Sequence, residues 1–244
     1  MPHRTLNLEE LADYLHLSTP DVERLLRETD LPRETRGGRM IFRRGAIDEW
    51  ASQRILGLPD KRLDAYHQKM VRRRAPELPG GALMPMLLEP NAIDLELPSK
   101  TAASVVRDMV ALADRTGRVL DPRELLESVR AREEMCSTAL PGGMALLHAR
   151  QLAEYRFESS FIALGRSVQE VPFGAPDGRP TQLFFLICCE DERLHLHTLA
   201  RLCVMGLKTN MIDALLTAES AALAYEELVR IERDVLPPAP ATEA

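Results

Sequence analysis

"GGMALLHAR", residues 142–150, decides how the carboxy-terminal part of this chain folds. Two glycines introduce the apolar run Met144 to Leu147, and His148 closes it. A short apolar run behind a turn signal predicts a buried strand. Working outward, "FIALGR" (161–166) and "QLFFLICC" (182–189) have the same character, and "AIDLEL" (92–97) alternates as a strand does. Between and after them the period changes. "SKTAASVVRDMVALADRTG" (99–117) predicts a helix with Ser99 as cap and Gly117 as stop. A second helix is predicted from Asp121-Pro122, with Glu124 completing the cap, through Leu125, Leu126 and Val129. Two more helical stretches lie near 191–205 and 211–235. Strands interleaved with helices predict an α/β layer structure with helices flanking a mixed sheet.

At 244 residues and 45% apolar content the chain is long enough for two domains, each with a buried core. Residues 1–90 carry a net charge of +1 and residues 91–244 a net of −7, so the halves are expected to meet different partners. No apolar stretch follows Met1-Pro2-His3-Arg4, and Leu183 to Cys189 is too short to cross a bilayer, so a soluble cytoplasmic protein that does not engage a membrane is expected. Cys136, Cys188, Cys189 and Cys203 lack CxxC spacing and are read as small core residues. No cofactor is expected, and nothing in the spacing of histidines and cysteines supports a metal site.

The amino-terminal stretch "TLNLEELADYLHLSTPDVERLLRETDLP" (5–32) predicts two short helices. Leu8, Leu11, Ala12 and Leu15 share one face of the first, and Val22, Leu25 and Leu26 one face of the second. Ser18 is placed to cap the second helix, with Asp21 three residues on and Pro20 in the first turn. Gly37-Gly38 then predicts a hairpin turn, Met40 to Phe42 its returning strand, and a short helix carries Trp50 back to the core. These elements resemble the excisionase-type, MerR-like winged helix-turn-helix family over about residues 5–54. The resemblance implies a second helix in the major groove, bearing Thr19, Glu23, Arg24 and Arg27, and a wing whose Arg36, Arg39 and Arg43 touch phosphates. Residues 33–44 hold five arginines and one glutamate, which suits contacts that fix register without reading sequence. Asp21 and Glu23 sit near the face that would approach a polyanion, so either they accept from cytosine amines or the module binds weakly. A module that contacts protein instead is the alternative. One module covers a half-site, so useful affinity calls for a homodimer. Residues 57–87 form a basic linker: Lys61 to Arg74 hold six basic residues and one acid, suited to phosphates, to chain pairing through Leu63, Tyr66 and Met70, or to plain solvation.

"REEMCSTALPGGMALLHAR" (132–150), then "VPFGAPDGRPTQLFFL" (171–186) and "HLHTLARL" (195–202), resemble the fructose/mannitol-class (type 2) enzyme IIA domain of the bacterial phosphoenolpyruvate-dependent phosphotransferase system. The likeness runs from about residue 88 to 236, with 237–244 a disordered tail beyond it and residues 1–56 the amino-terminal domain. It implies that His148 accepts a phosphoryl group from a histidine phosphocarrier protein such as HPr, with His195 and Arg132 lining the same pocket. A neutral imidazole offers a lone pair near neutral pH, and phosphoryl transfer asks the protein mainly for alignment and fixed donors. Arg132 supplies a fork, His195 an N–H, and Ser137 or Thr138 a hydroxyl. Gly142 and Gly143 bring backbone close to the phosphate or turn the chain into the strand. A strand end would hold His148 rigidly with its ring at the surface for a docking partner. One departure stands out: the family usually has proline before the active histidine, and this chain has Leu147.

Together these features predict a phosphotransferase-linked transcription regulator. The alternatives are a phosphocarrier component serving sugar uptake or nitrogen control without DNA binding, and an unphosphorylated IIA-like sensor, which Leu147 favours.

Overall fold

The structure, a computed structural model, describes residues 5–15, 17–56, 63, 66–68, 81–150 and 157–236, with only the backbone at positions 48, 52, 53 and 192. The amino-terminal part is built from β1 (Thr5–Leu6), α1 (Leu8–Tyr14), α2 (Thr19–Glu28), β2 (Glu34–Arg36), β3 (Arg39–Arg43) and α3 (Arg44–Leu56). Asn7 caps α1 in a reciprocal box with Glu10, a start signal additional to the apolar periodicity that predicts this helix. Ser18 caps α2 by accepting from the Asp21 amide, as its position predicts. The strands form a small antiparallel sheet, ordered β1-β3-β2, and the β2–β3 turn sits at Gly37 and Gly38 with φ of 55° and 74°. Two successive positive φ values are what a two-residue hairpin with the right twist demands, and only glycine adopts them freely. Leu11, Val22, Leu31, Phe42 and Ile47 make the core beneath.

A short helix α4 (Met84–Leu87) then leads into β4 (Ile93–Leu97), α5 (Ala102–Asp114), α6 (Pro122–Glu133), β5 (Ala139–Leu140), β6 (Met144–His148), β7 (Phe161–Val171), β8 (Thr181–Cys188), α7 (Glu192–Lys208), α8 (Met211–Thr217) and α9 (Ala221–Val235). The strands form one mixed sheet ordered β4-β7-β8-β6-β5, with β6 parallel to β8 and β7 antiparallel to it. Alternation sorts the side chains into two layers. Leu183, Phe185 and Ile187 of β8, with Met144 and Leu146 of β6, join one apolar cluster. Phe184, Leu186 and Cys188, with Ala145 and Leu147, join another that includes Val105, Val106 and Met109 of α5. The sheet is therefore covered on both faces, the α/β layering that the strand and helix pattern predicts.

Several local expectations change. The α5 cap is Thr101, in a box with Ser104, whereas Ser99 donates its hydroxyl to Asp108. The last helical stretch is broken in two because Ser220 caps α9 by accepting from Leu223. Cys188, Cys189 and Cys203 are buried, but Cys136 is exposed and not a core residue. Gly142 and Gly143, with φ of 94° and 97°, turn β5 into β6. They stand at the far end of β6 from His148, roughly 16 Å away at strand rise, and so are turn residues with no part in the histidine pocket. Of the basic run, Leu63 is buried and Tyr66 partly so, while most of 61–74, Met70 included, and the tail at 237–244 lie outside the described residues.

The two halves share one interior. The apolar cluster on the β6/β8 face runs on through α7 and α9 into Leu63 and the amino-terminal core. Helix α3 packs against α7, and Glu49 on α3 comes within 3.8 Å of Arg150. Every residue of α7 from Leu194 to Met205 is buried. A helix lying on one face of a sheet ordinarily keeps a polar outer face. Here α3, with Leu63 and His67 from the stretch that follows it, covers that face.

Candidate functional site

His148 ends β6 on the face turned toward α7, because it continues the Met144 and Leu146 side of the strand. Leu147, at the position where proline was the family expectation, pairs with Leu186 inside the sheet and is fully buried. The leucine thus leaves β6 in regular register up to the histidine. Asp191 caps α7 by accepting from Arg193 and Leu194, and the next turn places His195 over His148, ring centroids 5.0 Å apart and tilted by 55°. Arg132 comes from the last turn of α6. Among the described residues, edge strand β5 pairs with Met144 and Ala145 and the Thr138 carbonyl accepts from Leu146, so β5 stops short of His148, which the Arg132 guanidinium reaches instead.

The hydrogen bonds fix the state of the imidazole. Nδ1 of His148 lies 2.8 Å from the Leu146 carbonyl oxygen, and Arg132 Nε donates to Nε2 at 2.9 Å. A carbonyl only accepts and a guanidinium only donates, so Nδ1 carries the proton and Nε2 the lone pair. Arg132 Nη1 also donates to the Cys136 carbonyl at 3.0 Å, while the buried Nη2 has no hydrogen-bond partner among the described residues. Burial, reinforced by the neighbouring His195 and the Arg132 charge, holds the His148 pKa well below the ordinary histidine value. Burial and Arg132 likewise bring His195 down to about 4, against a smaller opposing effect of Asp191. Both rings are neutral near pH 7.

His148, His195 and Arg132 are brought together, as the resemblance implied for a pocket. Thr138 is differently engaged: its hydroxyl donates to Glu133 Oε2 at 2.7 Å and its amide to Oε1 at 2.8 Å. Ser137 donates to the Phe173 carbonyl. Accessibility also differs from expectation. His148 is 2% exposed and His195 4%, so the ring is not presented at the surface. His197 lies 3.4 Å from Arg201 on the same helix.

A second polar cluster is not legible from spacing. Arg201, fully buried, pairs with Glu232 of α9 and donates to His67 of the linker and to the Gly81 carbonyl. Glu232 also accepts from the Leu83 and Met84 amides at 2.7 and 2.9 Å. An arginine inside an apolar helix signals a buried acid somewhere, but its partner is 31 residues downstream.

On the amino-terminal surface Glu23, Arg24 and Arg27 of α2 and Arg36, Arg39 and Arg43 of the wing are exposed, with Thr19 half-buried. Arg24 is drawn to Asp21 at 2.6 Å and Arg43 to Glu34, whereas Arg27, Arg36 and Arg39 make no ion pair among the described residues. None of the helices formed by the described residues is long and apolar enough to cross a membrane.

A five-stranded mixed sheet flanked by helices is the fold of phosphotransferase IIA domains, here joined to a helix-turn-helix domain. Residues 86–230 match the family described as phosphoenolpyruvate-dependent sugar phosphotransferase system, EIIA 2, and the chain belongs to it. Residues 5–55 match a helix-turn-helix domain family. The chain is 32% identical over 136 residues to a Bacillus subtilis phosphotransferase-system fructose-specific EIIABC component, covering 55% of this chain but only 21% of that protein. It is 25% identical over 148 residues to a nitrogen regulatory protein of Pseudomonas aeruginosa, covering 60% of this chain and 94% of that one. Among solved structures, nitrogen regulatory protein IIA-Ntr from Neisseria meningitidis superposes with a TM-score of 0.54 at 27% identity, over 62% of this chain and 99% of that one.

Proposed function

We propose that the chain is a phosphotransferase-linked regulator: His148 Nε2 takes a phosphoryl group from a histidine phosphocarrier, and the amino-terminal domain binds DNA. The observation that carries the first half is the fixed tautomer. With Nδ1–H held by the Leu146 carbonyl, the only lone pair on a neutral ring points toward a guanidinium that has a spare buried N–H group. In transfer, the P–N electron pair of a protonated phosphoimidazole returns to the carrier, which leaves as neutral imidazole, while Nε2 bonds to phosphorus and the new phosphoimidazolium keeps its Nδ1 proton on Leu146. Arg132 moves from the lone pair to the phosphoryl oxygens, whose charge grows in the loose transition state. Fixing both imidazole orientation and charge donors before the carrier arrives is what lowers the barrier.

The DNA half rests on exposed cations at Arg27, Arg36 and Arg39, without ion pairs among the described residues, beside a capped helix of helix-turn-helix spacing. A second reading, an unphosphorylated sensor, is favoured by the 2% exposure of His148. Incubation with labelled phosphoenolpyruvate, enzyme I and HPr separates them. We expect an acid-labile label on the wild type, none on His148→Ala, and at least a tenfold slower rate for Arg132→Gln. A wild-type chain that stays unlabelled favours the sensor reading.

A further inference from the structure

We propose that the amino-terminal domain is docked on the phosphoacceptor face of the IIA domain, so that α3 and an incoming phosphocarrier compete for that face, and that phosphorylation of His148 holds the two domains apart. The inference rests on the phosphoacceptor reading above and adds its regulation.

Three observations point the same way. His148 and His195 are 2% and 4% exposed, and a ring so enclosed cannot meet the phosphoimidazole of another protein in line. Helix α3 lies along α7, the helix that carries His195, and α7 has no exposed residue from Leu194 to Met205. Glu49 of α3 reaches Arg150, two residues past His148, so the domain touches the chain on both sides of the pocket. Docking leaves the proposed DNA face free: Glu23, Arg24 and Arg27 of α2 and Arg36 and Arg39 of the wing remain exposed. In the closed state it is the histidine that is hidden, not the cationic surface.

The electrostatics supply the sign. A phosphoryl group brings about −1.5 to −2 charges. Placed at His148 it draws on Arg150, the cation that Glu49 now uses, and repels the Glu49 carboxylate itself. Opening is therefore coupled reciprocally to phosphorylation: whatever loosens α3 speeds labelling, and labelling loosens α3.

The test uses the full chain with phosphoenolpyruvate, enzyme I and HPr. Glu49 is partly exposed, so Glu49→Arg replaces the attraction to Arg150 by repulsion without emptying a core position. We expect initial labelling about fivefold faster than wild type, the factor given by roughly 1 kcal/mol of lost docking free energy. Glu49→Arg with Arg150→Glu returns it to the wild-type rate. Hydrogen exchange on the wild type gives an independent readout, with amides of 44–56 losing protection once His148 is labelled. Equal rates in the three chains, or α3 exchange that the label leaves unchanged, overturns the competition while keeping His148 as acceptor. No label on any chain removes the acceptor reading and this inference with it.

Discussion

At the scale of single residues the site is governed by where protons cannot go. His148 and His195 are neutral because burial strips the charged form of water and Arg132 opposes a second cation beside it. The consequence for stability has a definite sign. In the unfolded chain histidine titrates near 6.5, whereas folded His195 does so near 4 and folded His148 also well below the ordinary value. Above about pH 6.5 neither state binds the proton and stability is unaffected. As the pH falls from there toward 4, the unfolded chain protonates first and stability is lost, by about 3 kcal/mol for His195 alone. Urea midpoints measured from pH 7 to 4 should fall accordingly, and His195→Gln should flatten the slope. From the sequence one can name His148, His195 and Arg132, which the fold brings together, but also Thr138, which it turns to Glu133. The burial of the site is not legible there, since a strand-ending histidine looks alike whether solvent or another domain lies beyond it.

At the scale of elements, capping and alternation explain why so many boundaries can be read from the chain. Ser18, Asp121 and the Gly37-Gly38 turn signal their boundaries locally, so α2, α6 and the wing fall where the sequence predicts. Ser99 and the 211–235 stretch mislead because several hydroxyls compete as caps and only tertiary contacts choose among them; Asp108 claims Ser99. Helix α7 is subtler: in "LHLHTLARLCVM" (194–205) His195, His197, Thr198 and Arg201 share one face as a surface stripe would, yet all four are buried. The wing makes its own prediction. Arg36 and Arg39 make no ion pair among the described residues, while Arg43 is partly committed to Glu34. Arg36→Ala with Arg39→Ala should weaken DNA binding at every sequence alike and lower the slope of log affinity against log salt by about 1 for each phosphate left unneutralised. Arg43→Ala should do less. A mobility shift across a salt series measures both.

At the scale of the whole molecule, the Arg201–Glu232 pair fastens the linker between α7 and α9. Removing one partner strands a buried charge and also frees the Leu83 and Met84 amides. Glu232→Ala should cost about 3–5 kcal/mol, read as a lowered denaturant midpoint. Arg201 signals a buried acid, but nothing local in the sequence picks Glu232, because the two are brought together only when α9 folds back beside α7. The shared apolar interior has a wider meaning. Residues 5–55 and 86–230 match separate families, yet one continuous buried cluster runs across the boundary between them. Grafting either half onto a relative's counterpart would leave a misfit along that seam, so the two domains must vary in concert, with helix Arg44–Leu56 the natural place for compensating changes.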